Sequence, residues 1–86
     1  MQPENNLSNA ATARAGDTAV FRIRGDLVCG EREPNRLHSV TLGMEELRGS
    51  TFEFICTQYG SRFCYWQLRD GRLPTCWWSE VWLERA

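Results

Sequence analysis

Residues 51–78 read TFEFICTQYGSRFCYWQLRDGRLPTCWW, and this stretch decides the fold. The even positions of its first two apolar segments are Phe52, Phe54, Cys56, Cys64, Trp66 and Leu68. Successive side chains of a β-strand point to opposite faces, so these positions predict one apolar face of an antiparallel hairpin. A shift by one residue would turn every apolar side chain of a strand to the other face. We therefore expect even positions to pair with even positions.

Two turns satisfy this pairing rule. A loop of residues 58–60 places Gly60 at the left-handed position of a type I turn with a bulge, and it sets Phe54 opposite Cys64. A loop of residues 59–61 sets Cys56 opposite Cys64 instead, with its glycine in the middle of the loop. We favour the first loop because its glycine stands where positive φ is needed.

The next turn is indicated by Asp70-Gly71, the preferred dipeptide of a two-residue type I′ hairpin. It predicts that Leu68 pairs with Leu73 and Cys64 with Trp77. On the opposite side of the sheet, which we call the second face, the same register aligns Ile55, Phe63, Tyr65, Cys76 and Trp78. A solvated face rarely carries this many aromatic side chains. The pattern therefore indicates either a sheet covered on both sides or a binding surface.

The segments before this hairpin predict further short strands. The residues TAVFRIR at positions 18–24 alternate apolar and arginine side chains, which is strand patterning. Residues 27–29 form a second short strand or the rim of a bulge, and residues 30–36 form a charged loop that Pro34 keeps out of the core. Alternation from Ser39 to Met44 indicates another strand, and residues 45–47 either continue it or form a helical turn.

The C-terminal residues WWSEVWLERA predict that a strand ends at Ser79 and is followed by a single 3-10 or helical turn. Residues 82–85 then form a last short strand. No segment shows three clear helical turns, so the fold class is mostly β: a small twisted antiparallel sheet or half-open barrel with at most single turns of helix.

The chain has 86 residues, a mass of 10.0 kDa and a net charge of −1, which bounds it to one small domain. Residues 1–16 are polar and predict a disordered N-terminal tail, and residues 17–86 a single small β-domain. All ten basic residues are arginine, which excludes lysine chemistry. With neither a signal peptide nor a spanning segment in the sequence, we expect a cytoplasmic protein without membrane contact. Its four cysteines are then expected to be reduced.

No catalytic residue, metal ligand or cofactor is predicted. The carboxylates are scattered along the chain, and His38 is interpreted as a surface residue. The four cysteines lack the CxxC spacing of a zinc knuckle, and the register above puts Cys64 and Cys76 on opposite faces. Solvated acids and core thiols are the ordinary explanation of these residues.

The candidate binding residues are an aromatic cluster of the second face with arginines at its rim: Ile55, Tyr59, Phe63, Tyr65 and Trp78, with Arg62, Arg69 and Arg72. Tyrosine, tryptophan and arginine are the residues most often found as interface anchors. The same residue types suit a nucleic-acid platform, but Glu53 on that face and the neutral total charge argue against it.

The segments GDTAVFRIRG at residues 16–25 and LERA at residues 83–86 resemble the first and last strands of SH3-like barrels. The ending is similar to that of the type II dihydrofolate reductases, which are carried on plasmids and integrons. That resemblance implies a tetramer with one central pore for folate and NADPH, lined by a Gln-Ile-Tyr run shortly before the leucine. Here the matching positions are Cys76, Trp77 and Trp78, so the resemblance implies a barrel and oligomerisation but not that activity.

The sequence therefore predicts a small non-enzymatic binding or self-associating module, with a protein partner or a second copy of itself. The alternative is a small oligomeric enzyme or planar-ligand binder whose pocket lies at a symmetry axis. An inhibitor of a host protein, encoded by a phage or plasmid, is compatible with the size but has no residue signature.

Overall fold

The computed structural model of the chain describes residues 13–59 and 63–86. Its elements are β1 (Thr18–Ile23), α1 (Leu42–Glu45), β2 (Thr51–Tyr59), β3 (Phe63–Leu68), β4 (Trp78–Ser79), a 3-10 helix (Glu80–Trp82) and β5 (Leu83–Arg85). The five strands form one sheet in the order β4-β3-β2-β1-β5, with every neighbouring pair antiparallel. The sheet curls into a half-barrel, which confirms the predicted mostly-β class.

The core lies on the concave face of this sheet. It is built from alternate positions of the strands, and from residues of the β1–α1 connection, α1 and the 3-10 helix: Phe21, Ile23, Leu27, Val40, Met44, Phe54, Cys56, Trp66, Leu68, Trp78, Trp82 and Leu83. Phe21 contacts Phe54 and Trp66 edge to face, with ring centroids 5.7 and 4.9 Å away. Large aromatic side chains thus supply much of the buried apolar area of this small domain.

The β2–β3 hairpin confirms that even positions pair with even positions, but both predicted registers were wrong. Phe54 pairs with Leu68, Cys56 with Trp66, and Gln58 with Cys64. The ladder runs on to Tyr59 and Phe63, which shifts the pairing toward the C-terminus of β2. Residues 60–62, on which both predicted loops partly fall, are outside the described residues.

The hairpin pairing predicted from a two-residue turn at Asp70-Gly71, Leu68 with Leu73 and Cys64 with Trp77, was also wrong. The chain does turn there, since the Asp70 side chain accepts a hydrogen bond from the Arg72 backbone N–H, but β4 begins only at Trp78. Pro74 has no N–H to donate to a ladder, and its carbonyl accepts from the Gln67 side chain at 2.8 Å. The pairing is Trp66 with Trp78, which turns Trp78 to the core rather than to the second face.

The β1–α1 connection differs from its prediction in two ways. Residues 27–29 form no strand, although Leu27 packs into the core. The strand expected from Ser39 to Met44 is replaced by a bridge between Arg32 and Ser39, followed by the one-turn helix α1. Thr41 caps that helix by accepting from the Met44 N–H at 3.2 Å, which favours a helical turn over extended backbone.

The two ends of the domain meet in the sheet. The Ser79 hydroxyl caps the 3-10 helix by accepting from the Val81 N–H, and a last short strand follows, as the C-terminal pattern predicted. This strand, β5, pairs with β1. Residues 14–17, most of which we assigned to the tail, form a turn in which the Gly16 N–H donates to the Cys56 carbonyl at 2.9 Å. Residues 1–12 lie outside the described residues.

Candidate functional site

The second face of the sheet divides into a covered part and an open part. The odd positions of β2 and β3 and the even positions of β1 lie on it, because these positions pair across the strands. Tyr65 is 1% exposed on the covered part, whereas Val20 is 50% exposed on the open part. The structure thus seals Tyr65, a member of the predicted cluster, and leaves Val20, which the sequence did not assign to it, exposed on the same face.

Tyr65 is covered by the β1–α1 connection and by the segment before β4. The His38 ring meets it edge to face with centroids 4.8 Å apart, and the Trp77 ring does so at 6.3 Å. His38 and Trp77 stack parallel to each other, with centroids 6.0 Å apart. The expectation that His38 is a surface residue was wrong, because its ring packs between these two aromatic side chains.

Glu33 belongs to this cover and is 1% exposed, although no residue of the charged loop at 30–36 enters the hydrophobic core, as expected. One carboxylate oxygen accepts from the Leu37 N–H at 2.7 Å and from the His38 N–H at 3.3 Å, and the other accepts from Asn35 at 3.4 Å. The Tyr65 side chain adds a further hydrogen bond.

These bonds determine the charge state of Glu33. Burial alone would raise the pKa of its carboxyl, but the hydrogen bonds from Leu37, Tyr65, Asn35 and His38 outweigh burial and lower that pKa. Glu33 is therefore a satisfied anion that ties the loop to the sheet. Its oxygens are engaged in structural bonds, which does not suit the role of a general acid.

The two described rim arginines are neutralised by carboxylates of the chain itself. Arg69 pairs with Glu53 at 3.0 Å, and Arg72 pairs with Asp70 at 2.6 Å. The hydrogen bond from Arg72 lowers the pKa of the exposed Asp70 carboxyl. The Arg72 guanidinium also lies over the Phe52 ring, 4.5 Å from its centroid. Neither arginine is an isolated positive charge.

The remaining predicted residues fall into three groups. Ile55 is partly buried on the second face, and Trp78 is fully buried in the core. Tyr59 and Phe63 are paired strand residues at the end of the hairpin. Arg62 lies outside the described residues, so the predicted site as a whole is only partly assembled by the described structure.

The open part of the second face lies on β1 and the adjoining part of β2. Val20 and Ile55 are diagonal neighbours there, since Thr18 pairs with Ile55 and Val20 with Glu53. The ladder between β1 and β2 ends at Thr18 and Ile55, whereas β2 continues to Tyr59. The hairpin therefore runs past β1, and beyond Cys56 the β1 side of β2 has no partner strand among the described residues.

The sequence reasoning did not single out Glu33, and it misplaced His38 at the surface and Trp77 opposite Cys64, because a loop carries no periodicity. One signal did exist: an aromatic second face has to be covered or to bind something, and residues 24–50 are the longest connection available to cover it.

The comparisons and searches add little to this picture. Comparison of the chain with models of protein families, with curated proteins and with solved structures finds no match. Among residues 13–59 and 63–86, no three histidine, cysteine or acidic residues are grouped as metal ligands. The helices of the described part of the chain are all too short or too polar to span a membrane.

Proposed function

We propose that this chain is a non-enzymatic binding module that associates with a second copy of itself through the open part of the second face. The observation that carries the proposal is the contrast on that face: Tyr65 is sealed by the chain's own loop, whereas Val20 is exposed, and β2 runs past the end of β1 with no partner strand among the described residues. An apolar surface next to free backbone donors and acceptors is a common site of strand-mediated association.

The charge distribution supports a protein surface over a nucleic-acid surface. Arg22 pairs with Glu84 at 2.9 Å, so the exposed arginine of β1 is neutralised like Arg69 and Arg72. Nucleic acid is held by arginines and lysines whose charge is free to replace counterions. A locally neutral face with a polar rim suits contact between two proteins.

The strand arrangement supports an SH3-like half-open barrel. The first strand lies between the second and the last, and a 3-10 helix joins β4 to β5. Small barrels of this kind commonly present one face for binding while the curled face holds the core. The proposal does not include dihydrofolate reduction, because the Gln-Ile-Tyr run is replaced by Cys76, Trp77 and Trp78.

The test is sedimentation velocity over a wide concentration range, on the full chain kept in reductant. We expect the wild type to associate as its concentration rises and Val20→Glu to remain monomeric, because two buried carboxylates would face each other in the interface. Val81→Glu is the matched control, since Val81 is 46% exposed on the 3-10 helix outside the second face. A monomeric wild type throughout the range, or equal loss of association in both variants, would refute the proposal.

A ligand titration distinguishes self-association from the alternative, in which the protein binds a planar ligand. Tryptophan fluorescence of the full chain with nucleotides, pterins and short oligonucleotides reports stacking on the aromatic residues. We expect no saturable change. A saturable change that Val20→Glu leaves intact would favour a ligand site over self-association.

A further inference from the structure

Two cysteine side chains meet at the point where the hairpin runs past β1. Cys56 pairs with Trp66 and Cys64 pairs with Gln58, so the two cysteines are diagonal neighbours on the core face. Their sulfur atoms are 2.7 Å apart. That distance is well below ordinary non-bonded contact between sulfurs, although still longer than a disulfide bond of about 2.05 Å.

The other two cysteines do not share this arrangement. Cys29 is exposed, and its backbone N–H donates to Glu45. The Cys76 sulfur lies 3.7 Å from the Thr41 hydroxyl. All four are free thiols in the structure, so the proximity of Cys56 and Cys64 is a property of the fold and not the result of an existing bond.

We propose that Cys56 and Cys64 are a disulfide-forming pair whose co-reactant is a small-molecule disulfide such as oxidised glutathione. The inference is independent of the proposed function. It assigns a modification site to the hairpin and predicts that oxidation joins β2 to β3 covalently beyond the end of β1.

The exchange proceeds in two balanced steps. Cys64, the more accessible of the two, attacks the small disulfide as its thiolate, forms a mixed disulfide and releases one small thiol. The Cys56 thiolate then attacks the Cys64 sulfur and displaces the second small thiol. The two cysteine protons end on the two released thiols, the cysteines lose two electrons, and the small disulfide gains them.

The surroundings of the pair determine the pH dependence of the exchange. Burial raises the pKa of both thiols, and for Cys64 the neighbouring Cys56 raises it further. The nearest acidic groups acting on the pair, Asp17 and Glu80, raise both pKa values as well. Because only the thiolate reacts, the exchange should be slow at neutral pH and accelerate as the pH rises.

The primary test uses the full wild-type chain, purified in reductant and then incubated with oxidised glutathione at alkaline pH. Remaining thiols are alkylated and the chain is digested with trypsin, which cuts only at arginine here because no lysine is present. Cys56 lies in peptide 49–62 and Cys64 in peptide 63–69. We expect a linked species of these two peptides and an intact mass lower by two hydrogen atoms.

The control is the double variant Cys29→Ser/Cys76→Ser, which retains the pair and should give the same linked peptides. Its oxidised form should melt about 10 °C higher than its reduced form, because the bond restricts the unfolded chain. Cys64→Ser should show no such shift. Folding of these variants is not required for the wild-type peptide map, so the proposal stays testable if one of them fails to fold.

Two results would overturn the proposal. One is a wild-type chain that keeps all four thiols open to alkylation, on unfolding, after prolonged exposure to the small disulfide. The other is a peptide map in which Cys29 or Cys76 is the main partner of Cys56 or Cys64.

Discussion

The Tyr65 side chain is hydrogen-bonded to the buried carboxylate of Glu33, although 31 residues separate the two positions in the chain. Tyr65 belongs to the face of β3 opposite the core, and Glu33 belongs to a loop rich in charged residues. This contact forms part of the cover over Tyr65 on the second face. It makes the loop a part of the folded domain and not an appendage to it.

Replacement of Glu33 by alanine should destabilise the chain by about 3 kcal/mol, because several buried donors would lose a charged acceptor. Glu33→Gln should cost less, since an amide oxygen can accept some of the same hydrogen bonds. The measurement is the free energy of unfolding from urea titration at neutral pH. Equal stability of the wild type and Glu33→Ala would show that the loop is not tied to the sheet through this residue.

The same carboxylate predicts a pH dependence. A group whose pKa is lower in the folded chain stabilises it fully above the unfolded value, about 4.3 for glutamate, and this stability is lost as the pH falls through the folded value. The wild type should therefore lose more stability than Glu33→Gln on acidification below that region. Parallel pH profiles of the two proteins would contradict this assignment.

Two core tryptophans offer a matched comparison. The indole N–H of Trp66 donates to Glu80 at 3.3 Å, whereas the buried indole N–H of Trp78 has no hydrogen-bond partner among the described residues. Trp66→Phe should therefore cost about 1 kcal/mol more than Trp78→Phe, because only the first removes a hydrogen bond to a charged group. Urea titration of both variants measures this difference, and the opposite order would refute it.

Truncation of Trp78 to alanine should destabilise the chain by about 3–5 kcal/mol, because this side chain is fully buried on the core face. The sequence register had placed Trp78 on the second face, where its loss would weaken association and leave the fold intact. Far-ultraviolet circular dichroism and urea titration separate the two outcomes. A stable Trp78→Ala variant would restore the surface interpretation.

Gly71 should resist replacement, because its φ of 89° is unfavourable for a side chain. A Cβ at this position would meet nothing within 4 Å, so Gly71→Ala tests backbone conformation alone and should cost about 1–2 kcal/mol. Gly25→Ala is the matched control, since Gly25 lacks positive φ and its Cβ would only touch the Arg22 side chain at 3.4 Å. Equal effects of the two changes on thermal stability would contradict the turn at residues 70–71.

Two features could be predicted because they depend on residues that are close in sequence: the pairing of even positions with even positions in the β2–β3 hairpin, and the C-terminal turn. Alternating side chains around Phe54 and Trp66 allow only even-to-even pairing when one face is buried, and Ser79 caps the turn that begins next to it. The exact register could not be predicted. When a three-residue loop moves along the chain by one position, each residue of β2 pairs two residues further along β3. The same side chains then stay on the core face, so the apolar pattern does not distinguish the registers.

In the candidate site, too, some features follow from the sequence alone and others only from the tertiary structure. The alternation of residues determined by itself that Ile55 and Tyr65 share the face opposite the core, because this requires only the pleat of a strand. Only the tertiary structure decided that Tyr65 is sealed beneath Glu33 and His38 while Val20 stays open. That outcome depends on where a long connection packs, and its hydrogen bonds and ring contacts join residues whose spacing in the sequence has no period.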